Sequence, residues 1–316
     1  MFTTAIVLQG PERLALWSLP LSAPSTGEVV VDVEWSAISA GTERLLWTGE
    51  MPPFPGMGYP LVPGYESVGR VVEAGPSCTV QVGDRVFVPG ASCFGDVRGL
   101  FGGAASRLVV PSARVARIDD ALGEEGVLLA LAATARHALV SGDGRPAELI
   151  VGHGVLGRLL ARLAVCTGAS PVVWEKNPAR ATGAVGYRVI DPDDDTAGVP
   201  RTAYRSIYDV SGDASLVEPL LARLARGGEI TLAGFYADPI TFGFPLAFMR
   251  EARLRVAAEW QPEDLLAVIE LVSSGRLTLD GLITHRRPFH EAEGAYATAF
   301  TDPDCLKMLI DWRSCQ

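Results

Sequence analysis

The run Leu149-Ile150-Val151-Gly152-His153-Gly154-Val155-Leu156-Gly157 constrains this chain most, because an apolar strand leads into a Gly-x-Gly-x-x-Gly turn and then into a helical pattern. That order is the fingerprint of a dinucleotide-binding strand-helix-strand unit. Gly152 allows the tight turn, Gly154 lets the backbone approach a pyrophosphate, and Gly157 lets the helix pack close on the strand. His153, Val155 and Leu156 complete the turn, and the helix N-terminus offers free N–H groups to phosphates. Glycine is abundant, 34 of 316 residues, so its spacing decides little without context. The context supports it: the helical stretch Arg158 to Thr167 is largely apolar, and a second strand, Pro171-Val172-Val173-Trp174, ends in Glu175. A carboxylate there accepts the adenosine ribose hydroxyls and repels the extra phosphate of NADP, which favours NAD. Lys176 and Arg180 follow closely, and a cation near the ribose can accommodate that phosphate.

From Met1 to about Asp120, short β-type runs alternate with Gly and Pro turns, among them 28–33, 67–72, 85–88 and 106–110. A β-rich domain is expected there. Glu124 begins a change of pattern. A helix is expected over 126–140, and then strands at 149–151, 172–174, 188–190, 206–210, 229–232 and 255–258 alternate with helices such as 216–225, which Gly227-Gly228 would stop. Such alternation implies a parallel sheet covered on both faces. The acids in Pro262-Glu263-Asp264 open a last strongly periodic helix, 265–273. The expected fold class is therefore α/β, with a first domain built from 1–122 and 262–316 and a doubly wound Rossmann domain over 123–261.

A net charge of −10 and the lack of any basic run argue against a nucleic-acid partner. The first residues carry neither the positive charge nor the apolar core of a secretion signal, and no apolar stretch approaches the roughly 20 residues a spanning helix needs. Five scattered cysteines without a Cys-x-x-Cys pair read as reduced thiols of a cytoplasmic protein.

Several motifs resemble the medium-chain dehydrogenase/reductases, a family that includes the zinc alcohol dehydrogenases. They are Gly64-Tyr65-Glu66-Ser67-Val68-Gly69, Val71-Val72-Glu73-Ala74-Gly75, Val82-Gly83-Asp84-Arg85-Val86 and Gly102-Gly103-Ala104-Ala105, followed in order by the glycine turn and Asp209-Val210-Ser211-Gly212. The resemblance covers essentially the whole chain and implies a GroES-like catalytic domain beside the Rossmann domain. More narrowly, Ser39-Ala40-Gly41-Thr42-Glu43, the stretch Trp47 to Pro60 and Arg98 to Gly103 are similar to dehydrogenases of bacteriochlorophyll synthesis. That likeness implies oxidation by NAD+ of a hydroxyethyl group on a pigment ring to an acetyl group. It also places Thr134, Ser211, Gly212, Gly234 and Phe235 beside the nicotinamide.

Zinc members of the family carry a Cys and a His where this chain has Ala40 and Tyr65. Zinc takes thiolate, imidazole or carboxylate, so no bound metal is expected. The alcohol proton must then leave without a Lewis acid. The catalytic candidates are Tyr65, a phenol that donates or accepts a proton or else fills space, and Thr42, which matches the family's relay hydroxyl or else caps a turn. Glu66 and Glu43 stand beside them as relay carboxylates or as structural ion pairs. His137 lies on an apolar helix in the pKa range of a shuttle, or is a core histidine.

A large flat pigment needs a wide, mostly apolar cleft, which Trp47, Met51, Phe54, Tyr59, Phe94 and Phe101 can supply as a group. Such a wall would also tolerate peripheral contact with a membrane, and nothing in the sequence opposes a homo-oligomer. Two other readings stay open at this point: a zinc-independent, quinone-oxidoreductase-like reductase using NADPH, and a non-catalytic nucleotide-sensing or scaffold protein.

Overall fold

A computed structural model of the chain describes residues 1–53, 55–196 and 203–315. Phe54, one of the expected pocket residues, lies outside the described residues. Two compact units emerge, Met1–Ala130 together with Leu282–Gln316, and Leu131–Gly281.

The first unit is β-rich. Its larger sheet runs in the order His285–Pro288, Met308–Asp311, Glu28–Ile38, Ser67–Ala74, Arg85–Val88 and Ala116–Arg117, with Arg107–Pro111 also paired to Glu28–Ile38. A second sheet orders Arg13–Pro20, Phe2–Gly10, Leu61–Val62 and Arg98–Gly99. Alternating β-branched residues such as Val29, Val31 and Val33 are fully buried, as a strand with an inward face requires. The last strand, Met308–Asp311, lies between His285–Pro288 and Glu28–Ile38 in the larger sheet. Met308 pairs antiparallel with Ile38, and Ile310 with Ser36, so the C-terminal segment lies against the end of Glu28–Ile38. Ser36 pairs in turn with Ser67 on the other side. Residues near 38, 66 and 307 thereby meet.

The second unit holds a six-stranded sheet, parallel throughout, in the order Arg188–Ile190, Val172–Trp174, Leu149–Val151, Tyr204–Asp209, Leu224–Leu232 and Arg253–Val256. This is the doubly wound strand order of a dinucleotide-binding domain. The first three strands coincide with the spans expected from sequence. The helix expected over 126–140 is instead a 3-10 stretch, Asp120–Leu128, followed by an α-helix, Leu129–Val140, with a kink at Gly123. Gly227-Gly228 does not end the preceding helix, which stops at Arg223; the pair lies inside Leu224–Leu232 at a shift of register, where Gly227 takes φ 70°.

Residues 262–281, expected with the first domain, pack with the second. Charged contacts account for it. Asp264, on the helix Pro262–Ser273, accepts hydrogen bonds from Arg136 and pairs with His137 Nδ1 at 2.8 Å. The buried Arg162 donates to the Thr278 and Asp280 carbonyls at 2.9 and 3.0 Å. Among the described residues, no helix is long and apolar enough to cross a membrane, and all five cysteines are free.

Candidate active site

The second unit holds the candidate nucleotide cradle, and each glycine of the turn has a separate physical reason. Gly152 takes φ 103°, a conformation that side-chain-bearing residues avoid. A Cβ on Gly157 would stand 2.0 Å from the Gly152 carbonyl oxygen, so only glycine lets the helix sit against the strand end. A Cβ on Gly154 would meet nothing within 4 Å. Its absence therefore serves no packing need and leaves backbone bare where a ligand can approach. The helix Val155–Cys166 starts directly after Gly154 without a side-chain cap, so its first N–H groups remain available to an anion. These features fit a dinucleotide.

Glu175 follows the strand Val172–Trp174 and reaches back to the turn: one carboxylate oxygen accepts from the His153 N–H at 3.0 Å and the other from the Asn177 N–H at 2.8 Å. Lys176 is exposed. The His153 imidazole faces inward, fully buried, with Nδ1 2.6 Å from the Arg180 carbonyl and Nε2 2.8 Å from the Tyr187 hydroxyl. Burial holds its pKa down at about 4, against the Arg180 hydrogen bond, so it is a neutral structural group and only its backbone lines the turn. At the neighbouring strand end, Ser211 donates to Asp209 Oδ1 at 2.6 Å. Gly212 takes φ 73°, Gly234 packs against the Gly212 backbone, and the Phe235 side chain is 40% exposed. Asp209, which the sequence offered only as part of a motif, is fully buried, and its Oδ2 has no partner among the described residues. Thr134 is half-buried on Leu129–Val140. His137 and Asp264 form an ion-pair geometry within the same unit.

The first unit gathers the proton-handling candidates. Tyr65 Oη lies 2.6 Å from the Ser39 hydroxyl, and its ring meets Phe101 edge-on at 5.4 Å. Burial pushes the phenol well above its ordinary pKa, and the Glu66 carboxylate adds to the rise, while the Ser39 and Thr42 hydroxyls oppose it. Glu66 is fully buried. One of its oxygens accepts from Lys307 Nζ at 2.7 Å, and Oε1 has no partner among the described residues. Its pKa is raised by burial against the attraction of Lys307. Glu43, 1% exposed, accepts from the Ser39 N–H at 2.9 Å and from the Tyr296 hydroxyl at 2.7 Å. Burial lifts its pKa to about 7 against those hydrogen bonds.

Sequence reasoning picked out Tyr65, Glu66, Thr42 and Glu43, and the fold brings them together. It missed Lys307, Tyr296 and the hydroxyl of Ser39. Of the aromatic group, Phe94 is 2% exposed within the hydrophobic core and Met51 is buried. Trp47, Tyr59 and Phe101 are half-buried, Tyr59 donating to the Leu46 carbonyl. Ala40 is exposed and offers no ligand atom. Among the described residues no group of three His, Cys, Asp or Glu side chains is placed to hold a metal ion.

Residues 25–120 match the model of the alcohol dehydrogenase GroES-like domain. The chain is 58% identical over 315 residues to the 2-desacetyl-2-hydroxyethyl bacteriochlorophyllide A dehydrogenase of Rhodobacter capsulatus, covering 99% of both chains. It belongs to the medium-chain dehydrogenase/reductase family. As a member it is an oxidoreductase of the alcohol dehydrogenase type. The dehydrogenase of the same name from Cereibacter sphaeroides is 59% identical over 320 residues, again with 99% of each chain covered. Among solved structures, a short chain alcohol dehydrogenase of Escherichia coli CFT073 complexed with NADH superposes with a TM-score of 0.81 at 22% identity, over 98% of this chain and 99% of that one. A dehydrogenase from Sinorhizobium meliloti 1021 bound to NADP gives 0.81 at 21%, with the same coverage. At such identities the likeness speaks to the fold, and both nicotinamide cofactors occur among proteins that share it.

Proposed function

We propose that this dehydrogenase oxidises the hydroxyethyl side chain of a bacteriochlorophyllide to an acetyl group with NAD+, without a catalytic metal. The observation that carries the reading is the near-60% identity, over essentially the full length, to two dehydrogenases named for that pigment. The glycine turn, the start of the helix Val155–Cys166 and Glu175 would hold NAD+, which would supply the hydride acceptor for the carbinol carbon. Glu175 favours NAD over NADP because its carboxylate stands at the strand end where a second ribose phosphate would be repelled.

The metal-free part of the proposal rests on donor chemistry. An alanine methyl cannot bind zinc, and a phenol whose pKa is raised stays protonated and is a poor ligand. The same rise makes Tyr65 a hydrogen-bond donor to the substrate oxygen rather than a resting base. Tyr65 and Thr42 hold the alcohol oxygen by hydrogen bonds, with the Ser39 hydroxyl set against the phenol, and the alcohol proton is released to solvent as the carbonyl forms. Trp47, Tyr59 and Phe101 are the half-buried aromatics suited to a flat apolar ring.

Purified protein incubated with 3-hydroxyethyl bacteriochlorophyllide a and NAD+ should yield NADH and the acetyl pigment. Folded, NAD-binding protein that produces neither would end this reading, and turnover only with NADP+ would overturn the role of Glu175.

A further inference from the structure

Tyr65 has two independent restraints. Its ring is set by the edge-on contact with Phe101, but a phenolic O–H still rotates about its C–O bond, and ring packing does not choose where the proton points. The hydroxyls bonded to it, Ser39 at 2.6 Å and Thr42, are the groups able to choose, and Ser39 is the buried one. At that separation the two oxygens share one proton, and whichever donates leaves the other's O–H free. Ser39 is itself anchored. It is 5% exposed, and its backbone N–H is tied to Glu43, whose second oxygen is tied to the buried Tyr296 hydroxyl. The chain Tyr296, Glu43, Ser39, Tyr65 therefore runs from the buried interior to the phenol.

We propose that Ser39 is a positioning residue for the dehydrogenase reaction: its hydroxyl donates to the Tyr65 oxygen and so presents the Tyr65 O–H to the oxygen of the substrate alcohol. The inference rests on the reading of Tyr65 as the donor to that oxygen. Burial, with the Glu66 carboxylate adding to it, keeps the proton on Tyr65, so the phenol has an O–H to present.

A double-mutant cycle on the full-length enzyme separates the two ideas. Ser39→Ala, Tyr65→Phe and the double variant are compared by kcat and KM for the pigment alcohol with saturating NAD+, by NAD+ affinity and by melting temperature. Ser39→Ala should lower kcat about tenfold, the worth of one well-placed hydrogen bond, with NAD+ affinity unchanged. In the double variant, losing Ser39 should cost nothing further, since it acts only through Tyr65. Losses that multiply, or wild-type kcat in Ser39→Ala, overturn the role of Ser39 while leaving Tyr65 intact. Wild-type kcat in Tyr65→Phe instead removes the donor reading and this inference with it. Where Tyr65→Phe is too slow to measure, Ser39→Thr decides: it keeps the hydroxyl and should restore turnover, and a rate as low as that of Ser39→Ala overturns the proposal.

Discussion

Lys307 Nζ stands 2.7 Å from a Glu66 carboxylate oxygen, with 2% of the lysine side chain and none of the glutamate exposed. The ammonium also reaches the Ile38 carbonyl at 3.3 Å. Two charges removed from water in this way depend on each other. Breaking such a pair leaves a lone buried charge and costs about 3 to 5 kcal/mol, whereas removing both charges costs far less. Lys307→Met should therefore destabilise the protein by about that amount in denaturant titrations. Adding Glu66→Gln to it should recover most of the loss. A double variant no more stable than Lys307→Met would show that Lys307 acts through packing instead.

Glu43 should make stability depend on pH in an unusual direction. Its carboxyl is held at about 7 in the folded chain against an ordinary value of 4.5. Between those values the folded protein binds a proton that the unfolded chain has released, so stability falls as pH rises through the window. The full effect is on the order of 3 kcal/mol. Glu43→Gln, a neutral isostere, should lose this dependence and gain stability relative to wild type as pH rises from 4.5 to 7. A constant difference between the two proteins across that range would count against a buried titrating Glu43.

His153 works in the opposite sense. Its folded value of about 4 lies below the ordinary 6.5, so between these the unfolded chain binds the extra proton. Its contribution is complete above 6.5 and is lost as pH falls toward 4, again on the order of 3 kcal/mol. His153→Gln should flatten the acid limb of the melting curve. An unchanged acid limb would mean that the imidazole is not buried neutral.

The glycine turn separates folding from binding. Gly157→Ala places a methyl against the Gly152 carbonyl, where it must displace backbone, and should lower the melting temperature clearly. Gly154→Ala projects into open space and should leave the melting temperature of the free protein nearly unchanged. It should nevertheless weaken nucleotide binding by about tenfold or more, since about 1.4 kcal/mol of lost approach suffices. Calorimetric titration with NAD+ and a thermal melt on both variants check the pair of outcomes. Equal losses of binding and stability in both would remove the distinction between the glycines.

The sequence by itself determined the features whose causes are local in the chain. A turn needing positive φ at Gly152 and short apolar strands are written in neighbouring residues, so the glycine turn and the parallel sheet were legible, while the helix expected from Arg158 starts three residues earlier, at Val155. Tyr65 and Ala40 at metal-ligand positions were visible through family likeness. Tertiary structure alone decided the surroundings of Tyr65. Tyr296 meets Glu43 across 253 positions and Lys307 meets Glu66 across 241, and no spacing rule links residues so far apart. The Lys307 contact depends on the register of Met308–Asp311 against Glu28–Ile38, and the Tyr296 contact on the packing of the helix Ala292–Thr301. The inward turn of the His153 imidazole and the reach of Glu175 back to the His153 N–H were likewise matters of packing, because both depend on which partners the fold brings within hydrogen-bond distance. The physical reason is general: backbone conformation is set by residues a few positions apart, while the charge state of a buried group is set by whatever the folded chain places beside it.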